Sequence, residues 1–394
     1  MSMLTFDTLV GDKAQFHREY FGKMPLYRKG VVGNPSEILS AAELDDLISL
    51  EMVRPPYIKL NLNGSGVPEK GYTRSVIVQG TNVTDTVVAS KVYELFKAGA
   101  TVTWSSLNHV LPKMRVLADM INSELSVRTD PVAFLTPAGR KGYPPHHDPV
   151  DLFIVQLSGT KRWKLWDMPN PRKGDNESYT HEELGEPTLD ILLSQGDVLY
   201  LPYGTPHAAV AEEQTSLHLS IMMRPRMWSD LLLETAKEIL AEDPIYNEYP
   251  LLAREVTHQT EAEFRQMAAS LATRLTEAAT SRTLERLRAL PTGQGGHGRG
   301  DTFQSIVEAD GLRTEGSLVR TNVSLDIVEV IDTRATVRVK GSKIAMPQAL
   351  ADTLVAMGPG SVMSIDELSA TADAERRLSM AKTLIRLELA RAGV

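Results

Sequence analysis

Two separate stretches of the sequence contain residue types that could bind a catalytic metal ion. One is the His-x-Asp motif of His146 and Asp148, just before a long apolar segment; the other is His207, which follows a Gly-Asp-Val-Leu-Tyr-Leu-Pro segment and a turn. Two imidazoles and one carboxylate are typical of the facial triad that binds non-haem Fe(II) and leaves positions open for a cosubstrate and O2. The chain has no cysteine, so a metal site in it has to use His, Asp or Glu. The three residues therefore predict an iron-dependent oxygenase.

The predicted strands around these residues strengthen a motif that is weak by itself, since surface loops supply many His-x-Asp sequences. We expect His146 and Asp148 at the start of an apolar strand over 150–157, where their side chains would point into the mouth of a barrel. Lys161 lies on the following strand, on the buried side, and faces the same site. The opposing interpretation is that the histidines are core residues of an inactive barrel.

The length and composition of the chain limit its class. With 394 residues it exceeds one ordinary hydrophobic core, which predicts two or three domains. A net charge of −8 argues against broad affinity for nucleic acid or anionic membranes. The N-terminus does not resemble a signal peptide, and no apolar run approaches the roughly 18 residues that a membrane span needs. The expected location is the cytoplasm.

The predicted elements divide the chain into a barrel, a helical segment and a small C-terminal domain. Short strands and turns follow one another from 132 to 223, which is typical of a double-sheet jelly roll of the cupin type. From about residue 227 the pattern becomes helical, and a glycine-rich stretch with His297, expected to be a solvated loop residue, follows. The expected boundaries are 1–226 for the catalytic domain, 227–292 for a helical domain, 293–301 for a linker and 302–394 for a winged-helix-like domain.

The helical and C-terminal parts each suggest a kind of partner. Residues 227–292 carry more apolar surface than one helical hairpin can bury, so we expect a homodimer through this segment; packing back onto the barrel is the alternative. Residues 340–394 contain seven Lys and Arg and six Asp and Glu, a net charge of +1. This balance is poor for binding a duplex, so no nucleic-acid partner and no membrane partner are expected.

The sequence around the motif also resembles a known family. The segments 136–139, 142–148 and 153–163 closely resemble JmjC oxygenases of the ribosomal-oxygenase (cupin-4) branch, which hydroxylate ribosomal-protein side chains. The resemblance covers most of residues 14–226, and the helical segment and winged-helix tail follow the family's order. It implies a JmjC double-stranded β-helix in which His146, Asp148 and His207 bind Fe(II) and Lys161 pairs with the distal carboxylate of 2-oxoglutarate. A buried ammonium suits that carboxylate because a charge-assisted contact is strong.

Some residues near the motif depart from the family pattern. An Asn and a Tyr commonly occupy the places held here by Val132 and Phe134, so hydrogen-bond donors near the cosubstrate and the substrate are missing. We expect Phe134 and His218 to line the 2-oxoglutarate site with Lys161, although His218 could equally be a hydrogen-bonded core residue. Tyr143 and Arg140, just before the motif, could touch the substrate.

The resulting hypothesis is an Fe(II)- and 2-oxoglutarate-dependent hydroxylase, with O2 as second cosubstrate, that acts on a protein or peptide side chain. A His or Arg of a ribosomal protein is a candidate target. An alternative substrate is a ribosomally synthesised precursor peptide of natural-product biosynthesis, for which the departures at Val132 and Phe134 leave room. An alternative from another class is a non-catalytic JmjC-like binding module whose function resides in its winged helix.

Overall fold

The chain forms two compact units, residues 1–293 and 294–394, in the computed structural model. The last part of the expected helical domain, residues 279–292, and the linker 293–301 with His297 lie outside the described residues. The structure describes residues 4–51, 53–140, 143–169, 175, 177–248, 258–278, 302–321, 323, 325–339, 342–358, 360–369 and 372–393.

Fifteen strands are described in the first unit, and most of them belong to two antiparallel sheets. They are β1 (Leu26–Arg28), β2 (Ile58–Leu62), β3 (Ser65–Gly66), β4 (Thr73–Val78), β5 (Thr81–Val87), β6 (Thr101–Trp104), β7 (Arg128–Thr136), β8 (His146–His147), β9 (Asp151–Ser158), β10 (Lys161–Leu165), β11 (Glu177–Ser178), β12 (Leu189–Leu193), β13 (Val198–Leu201), β14 (His207–Val210) and β15 (Ser216–Arg224). The larger sheet has the order β1-β13-β9-β15-β7-β6-β2-β3, and the smaller has the order β11-β8-β14-β10-β12. Strands β4 and β5 form a separate hairpin.

Helices precede the barrel, interrupt it and follow it. In the first unit they are α1 (Phe6–Val10), α2 (Lys13–Gln15), a π-helical turn (Phe16–Tyr20), α3 (Pro35–Ile38), α4 (Ala41–Ser49), a 3-10 turn (Glu69–Gly71), α5 (Ala89–Lys97), α6 (Leu107–Val110), α7 (Pro112–Leu125), α8 (His181–Leu184), α9 (Trp228–Glu242), a 3-10 turn (Pro244–Asn247) and α10 (His258–Ala278). Helix α4 starts with a capping box, in which Ser40 and Glu43 exchange side-chain and backbone hydrogen bonds.

Strand β9 shows how the barrel is held together, since it is apolar on both faces. Successive side chains of a strand point to opposite faces. Leu152 and Ile154 accordingly pack in the space between the two sheets, in the same cluster as Trp163 of the smaller sheet. Phe153 and Val155 pack on the other face of the larger sheet, in the core that the N-terminal helices share. The sheet is therefore buried on both sides and provides a rigid wall.

The position expected for the His-x-Asp motif was wrong in one respect. The motif does not start the long apolar strand; His146 and His147 form the separate strand β8 of the smaller sheet, whereas β9 belongs to the larger one. Pro149 lies between the two segments and has no N–H to continue a ladder, so the chain passes from one sheet to the other at this point. Strand β8 pairs directly with β14, which carries the second histidine.

The second unit has its own hydrophobic core and two three-stranded sheets. The elements of this unit are α11 (Thr302–Gly311), β16 (Ser317–Arg320), β17 (Leu325–Ile331), β18 (Arg334–Val339), β19 (Ser342–Pro347), α12 (Gln348–Ala356), β20 (Val362–Ser364), a 3-10 turn (Ile365–Leu368), α13 (Ala374–Arg386) and β21 (Ala390–Ala392). One sheet consists of β20, β16 and β21, and the other of β17, β18 and β19.

No helix among the described residues is long and apolar enough to cross a membrane.

Candidate active site

Strands β8 and β14 bring the three predicted metal ligands together. His146 lies directly opposite His207 in the antiparallel pair, and Asp148 follows β8 in the next turn. The Asp148 Oδ2 atom is 3.7 Å from His146 Nε2 and 3.9 Å from His207 Nε2. One potential ligand atom from each residue lies within 4.8 Å of the others, and this is the only such group of three among the described residues. These separations fit a single metal ion bound by all three side chains.

The two histidine rings are oriented by backbone carbonyl groups. His146 Nδ1 is 2.8 Å from the Pro144 oxygen, and His207 Nδ1 is 2.9 Å from the Thr205 oxygen. A carbonyl oxygen can only accept, so each Nδ1 donates, and each Nε2 keeps its lone pair for a metal. Burial, and then the neighbouring His146, lower the pKa of His207 to about 4. The ring is therefore neutral at physiological pH, as a metal ligand has to be.

The turn between β13 and β14 is tied to the turn that carries Asp148. The backbone N–H of Gly204 donates to the Asp148 carbonyl over 3.1 Å. The buried Asp151 carboxylate accepts from the Tyr200 hydroxyl and from the Tyr203 N–H. These bonds join the two segments that supply metal ligands, although the segments are far apart in sequence.

Lys161 lies inside the barrel, with its ammonium group close to Thr136 of β7. The side chain is 2% exposed, and Nζ is 3.1 Å from Thr136 Oγ1. Burial lowers the pKa of Lys161 to about 7. An anion in the pocket would stabilise the charged form, because an opposite charge offsets the cost of desolvation. Thr136 was not predicted as a site residue. It lies on the same face of β7 as Val132 and Phe134, and this period of two is the sequence feature that could have identified it.

Two other buried polar atoms near Lys161 have no hydrogen-bond partner in the part of the chain that the structure describes. His218 Nδ1 and Trp163 Nε1 are both in this state, and the two rings meet edge to face at 5.5 Å. Phe134 stacks on His218 at 4.9 Å, so the two residues expected beside the cosubstrate do lie together. Burial, followed by the nearby Lys161 charge, lowers the pKa of His218 well below its usual value. An unpaired buried group costs about 1–3 kcal/mol, and a polar ligand of the carboxylate type would remove that cost.

A cavity of about 950 Å3 opens beside the metal ligands. Val132 and Phe134 give it an apolar wall. Three other residues in its wall each have a buried side-chain oxygen with no hydrogen-bond partner among the described residues: Asn61 Oδ1, Thr103 Oγ1 and Asp130 Oδ1. Asp130 uses only its other oxygen, which accepts from Ser106 over 3.3 Å. These three residues are not recognisable as site residues in the sequence, because they belong to strands β2, β6 and β7 and share no local motif.

Comparison with known proteins agrees with this geometry. Residues 106–231 match the family described as JmjC domain. The chain is 32% identical over 149 residues to the bifunctional lysine-specific demethylase and histidyl-hydroxylase NO66 of Drosophila sechellia; the aligned region is 36% of this chain and 23% of the relative. With NO66 of Dictyostelium discoideum the identity is 30% over 245 residues, which are 60% of this chain and 46% of the relative. With ribosomal oxygenase 2 of Mus musculus the identity is 41% over 105 residues, which are 26% of this chain and 23% of the relative. The chain thus spans less than half of the length of each of these relatives.

Solved structures extend the likeness over the whole chain. The E. coli ribosomal oxygenase YcfD superposes with a TM-score of 0.54 at 18% identity, covering 98% of this chain and 99% of YcfD. A YcfD structure in complex with cobalt and 2-oxoglutarate gives a TM-score of 0.53 at 17% identity, with the same coverage. At this identity the likeness establishes the fold, and the cupin-type barrel predicted from the strand pattern is confirmed. The resemblance seen in the sequence is confirmed as well, since residues 106–231 match the JmjC domain and the similar proteins are NO66 and ribosomal oxygenase 2.

Proposed function

We propose that the protein is an Fe(II)- and 2-oxoglutarate-dependent oxygenase that hydroxylates a side chain of a polypeptide. The observation that carries the proposal is the convergence of His146, Asp148 and His207 beside a pocket that contains the buried cation Lys161. Fe(II) bound with 2-oxoglutarate and O2 would supply the oxidising chemistry that inserts an oxygen atom into a C–H bond.

The protein's residues would bind and position the reactants. The two Nε2 atoms and the Asp148 carboxylate would hold the metal on one side and leave the other side free. Lys161, protonated by the presence of the anion, would pair with the distal carboxylate of 2-oxoglutarate, and Thr136 would hold that ammonium group in place. Phe134 and His218 would form the wall that excludes water from the cosubstrate.

The cavity beside the metal supports a target side chain with many N–H donors. Asn61, Thr103 and Asp130 line this cavity with polar side chains, and Asp130 adds a negative charge that would attract a cationic side chain with N–H donors. Of the two candidate targets, an arginine guanidinium has five N–H donors and a positive charge, whereas an imidazole has at most two donors. We therefore favour arginine over histidine, even though the names of the NO66 relatives refer to histidine and lysine.

The test of the reaction class is an anaerobic titration with Fe(II) and then 2-oxoglutarate. An oxygenase should develop the metal-to-ligand charge-transfer absorbance of a chelated keto acid. A non-catalytic binding module, the alternative from another class, would show no such band. In that case the oxygenase assignment would be rejected.

The test of the target uses matched synthetic peptides that differ only in a central Arg, His or Lys. The arginine peptide should gain about 16 Da, one oxygen atom, and release succinate, because hydroxylation adds one oxygen per turnover. Asp130→Asn is the matched variant of the protein. It keeps the shape of the side chain and removes its charge, so it tests whether that charge favours the arginine peptide. Modification of the histidine peptide alone would contradict the choice of arginine.

Three finer proposals accompany the main one. Helices α9 and α10 would form the homodimer interface, and residues 302–394 would form a winged helix that does not bind nucleic acid. The cytoplasmic location expected from the sequence also stays a prediction. The precursor-peptide alternative is tested by the neighbouring genes, because a peptide gene beside this one would support it.

A further inference from the structure

A second cavity, of about 760 Å3, adjoins the metal cavity and is called here the basic pocket. The two cavities share Gly64, Tyr143 and Pro144 in their walls, so they are separated by only one rim. The Tyr143 ring lies on this rim, 5.9 Å from the His146 ring. A polypeptide whose side chain enters the metal cavity would therefore place its next residues at the basic pocket.

Three cations, Arg140, Arg162 and Lys164, line the basic pocket, and none of the described residues that line it is acidic. Arg162 is neutralised, since it forms ion pairs with Glu212 and with Asp190, the latter at 3.0 Å. Arg140 and Lys164 form no ion pair with a described residue. Arg140 and Lys164 therefore leave two positive charges in the wall of this pocket that no described acidic side chain pairs with.

The guanidinium of Arg140 lies against the backbone of Gly99. Gly99 has a φ of +106°, and a Cβ atom added there would lie 2.6 Å from Arg140 Nε. A side chain at residue 99 would therefore displace the guanidinium from its present place. Arg140 is exposed, so its planar N–H groups are accessible to a carboxylate that enters the pocket.

We infer that the basic pocket binds the carboxylate of an acidic residue that lies close to the modified residue in the substrate. The inference rests on the proposed function and adds a substrate class to it, a polypeptide with a carboxylate next to the target side chain. Arg140 presents planar paired N–H donors that match a carboxylate, and Lys164 adds a second charge on the outer face of β10. Arg162 stays paired with its own acids and contributes to the wall.

The experiment measures binding of three fluorescein-labelled peptides, octaglutamate, octaglutamine and octalysine, to the full chain by fluorescence anisotropy. Octaglutamate should bind best, and its affinity should fall as salt rises. Arg140→Ala with Lys164→Ala should weaken octaglutamate binding at least about fivefold, given the usual strength of partly exposed ion pairs. Lys29→Ala with Arg128→Ala, two exposed cations outside the pocket, is the matched control and should leave the affinity unchanged.

A charge-reversal variant guards against a loss of binding that comes only from misfolding. Arg140→Glu with Lys164→Glu should bind octalysine better than the original protein does, which a misfolded protein would not. Equal binding of octaglutamine and octaglutamate, or full affinity in the double alanine variant, would overturn the inference. So would a single-stranded RNA of equal charge that binds more tightly through the same two residues. The titration with Fe(II) and 2-oxoglutarate contains no peptide, so failure of the proposed function is detected separately.

Discussion

Backbone carbonyl groups set the tautomers of the two imidazole rings in this site, so only the Nε2 atom of each ring is available to a metal ion. Replacing His146 or Asp148 by alanine removes a ligand, so cobalt(II) binding should weaken by more than the 10- to 100-fold typical of losing a supporting hydrogen bond. Succinate release should fall to background. Isothermal titration with cobalt(II) checks the first result. His258→Ala, an exposed histidine at the start of α10, is the control, and turnover retained without His146 would contradict the ligand assignment.

The buried Lys161 gives 2-oxoglutarate binding a pH dependence. Its pKa is lowered to about 7 by burial, so the fraction of the protein with a charged ammonium group falls as the pH rises above that value. Only the charged form pairs with the distal carboxylate. The dissociation constant for 2-oxoglutarate should therefore be nearly constant below about pH 6 and rise towards tenfold per pH unit above about pH 7. Calorimetry across this range measures the effect.

A matched pair of variants separates this charge from other titrating groups. Lys161→Arg keeps the positive charge at all these pH values, because a guanidinium does not lose its proton, so the pH dependence should disappear. Lys161→Met keeps the length of the side chain and should bind 2-oxoglutarate weakly throughout. A wild-type dissociation constant that does not change with pH would show that the cation for the distal carboxylate lies elsewhere.

The residues of the metal site could be predicted from the sequence because they occur in motifs with a chemical meaning. His146 and Asp148 are two positions apart in one motif, and Lys161 lies on the next predicted strand. Asn61, Thr103 and Trp163 could not be found in that way. Each looks like an ordinary strand residue, and only the folded barrel shows that its polar atom is buried without a partner. Such a feature depends on three-dimensional packing and leaves no local signal.

At the level of elements, the turn between β13 and β14 decides where His207 lies. Tyr200 and the Tyr203 N–H both donate to the buried Asp151, so this one carboxylate fixes the turn. Tyr200→Phe removes a donor from a buried acceptor and should destabilise the protein by about 1–3 kcal/mol in urea unfolding. Because the turn precedes His207, cobalt(II) affinity should fall too. Tyr27→Phe, which loses a similar bond to Asp197, should leave that affinity unchanged.

The elements themselves were predicted better than their assignment to sheets. The run of short strands and turns expected from 132 to 223 is confirmed. The pattern placed His146 on the wrong strand, because two consecutive extended segments look like one when only residues 148–150 separate them. Which sheet a short strand joins depends on pairing with residues about 60 positions away, such as His207 with His146. Local periodicity contains no information about such pairing.

At the level of the whole molecule, helix α9 leaves a large apolar surface exposed. Leu231 and Ile239 are buried, but Trp228 is 71% exposed and Leu233 60% exposed. Helix α10 packs beside α9 and exposes Phe264 to 73%. Exposed aromatic and aliphatic side chains of this size are typical of an interface between proteins, and a symmetric contact would cover both copies at once. This is the physical basis for the proposed homodimer.

The proposed dimer can be tested with charged substitutions on the exposed face of α9. Trp228→Asp with Leu233→Asp places two carboxylates where an interface would bury them, so a dimer should dissociate because buried unpaired charges are costly. Sedimentation velocity should show a fall from twice the chain mass to the chain mass of 43.4 kDa. Ile77→Asp, on the exposed hairpin β4–β5 and 78% exposed, is the matched control and should not change the mass. If the wild-type protein sediments as a monomer, or if the variant keeps the dimer mass, α9 does not form the interface, and its apolar face has to be covered by another partner.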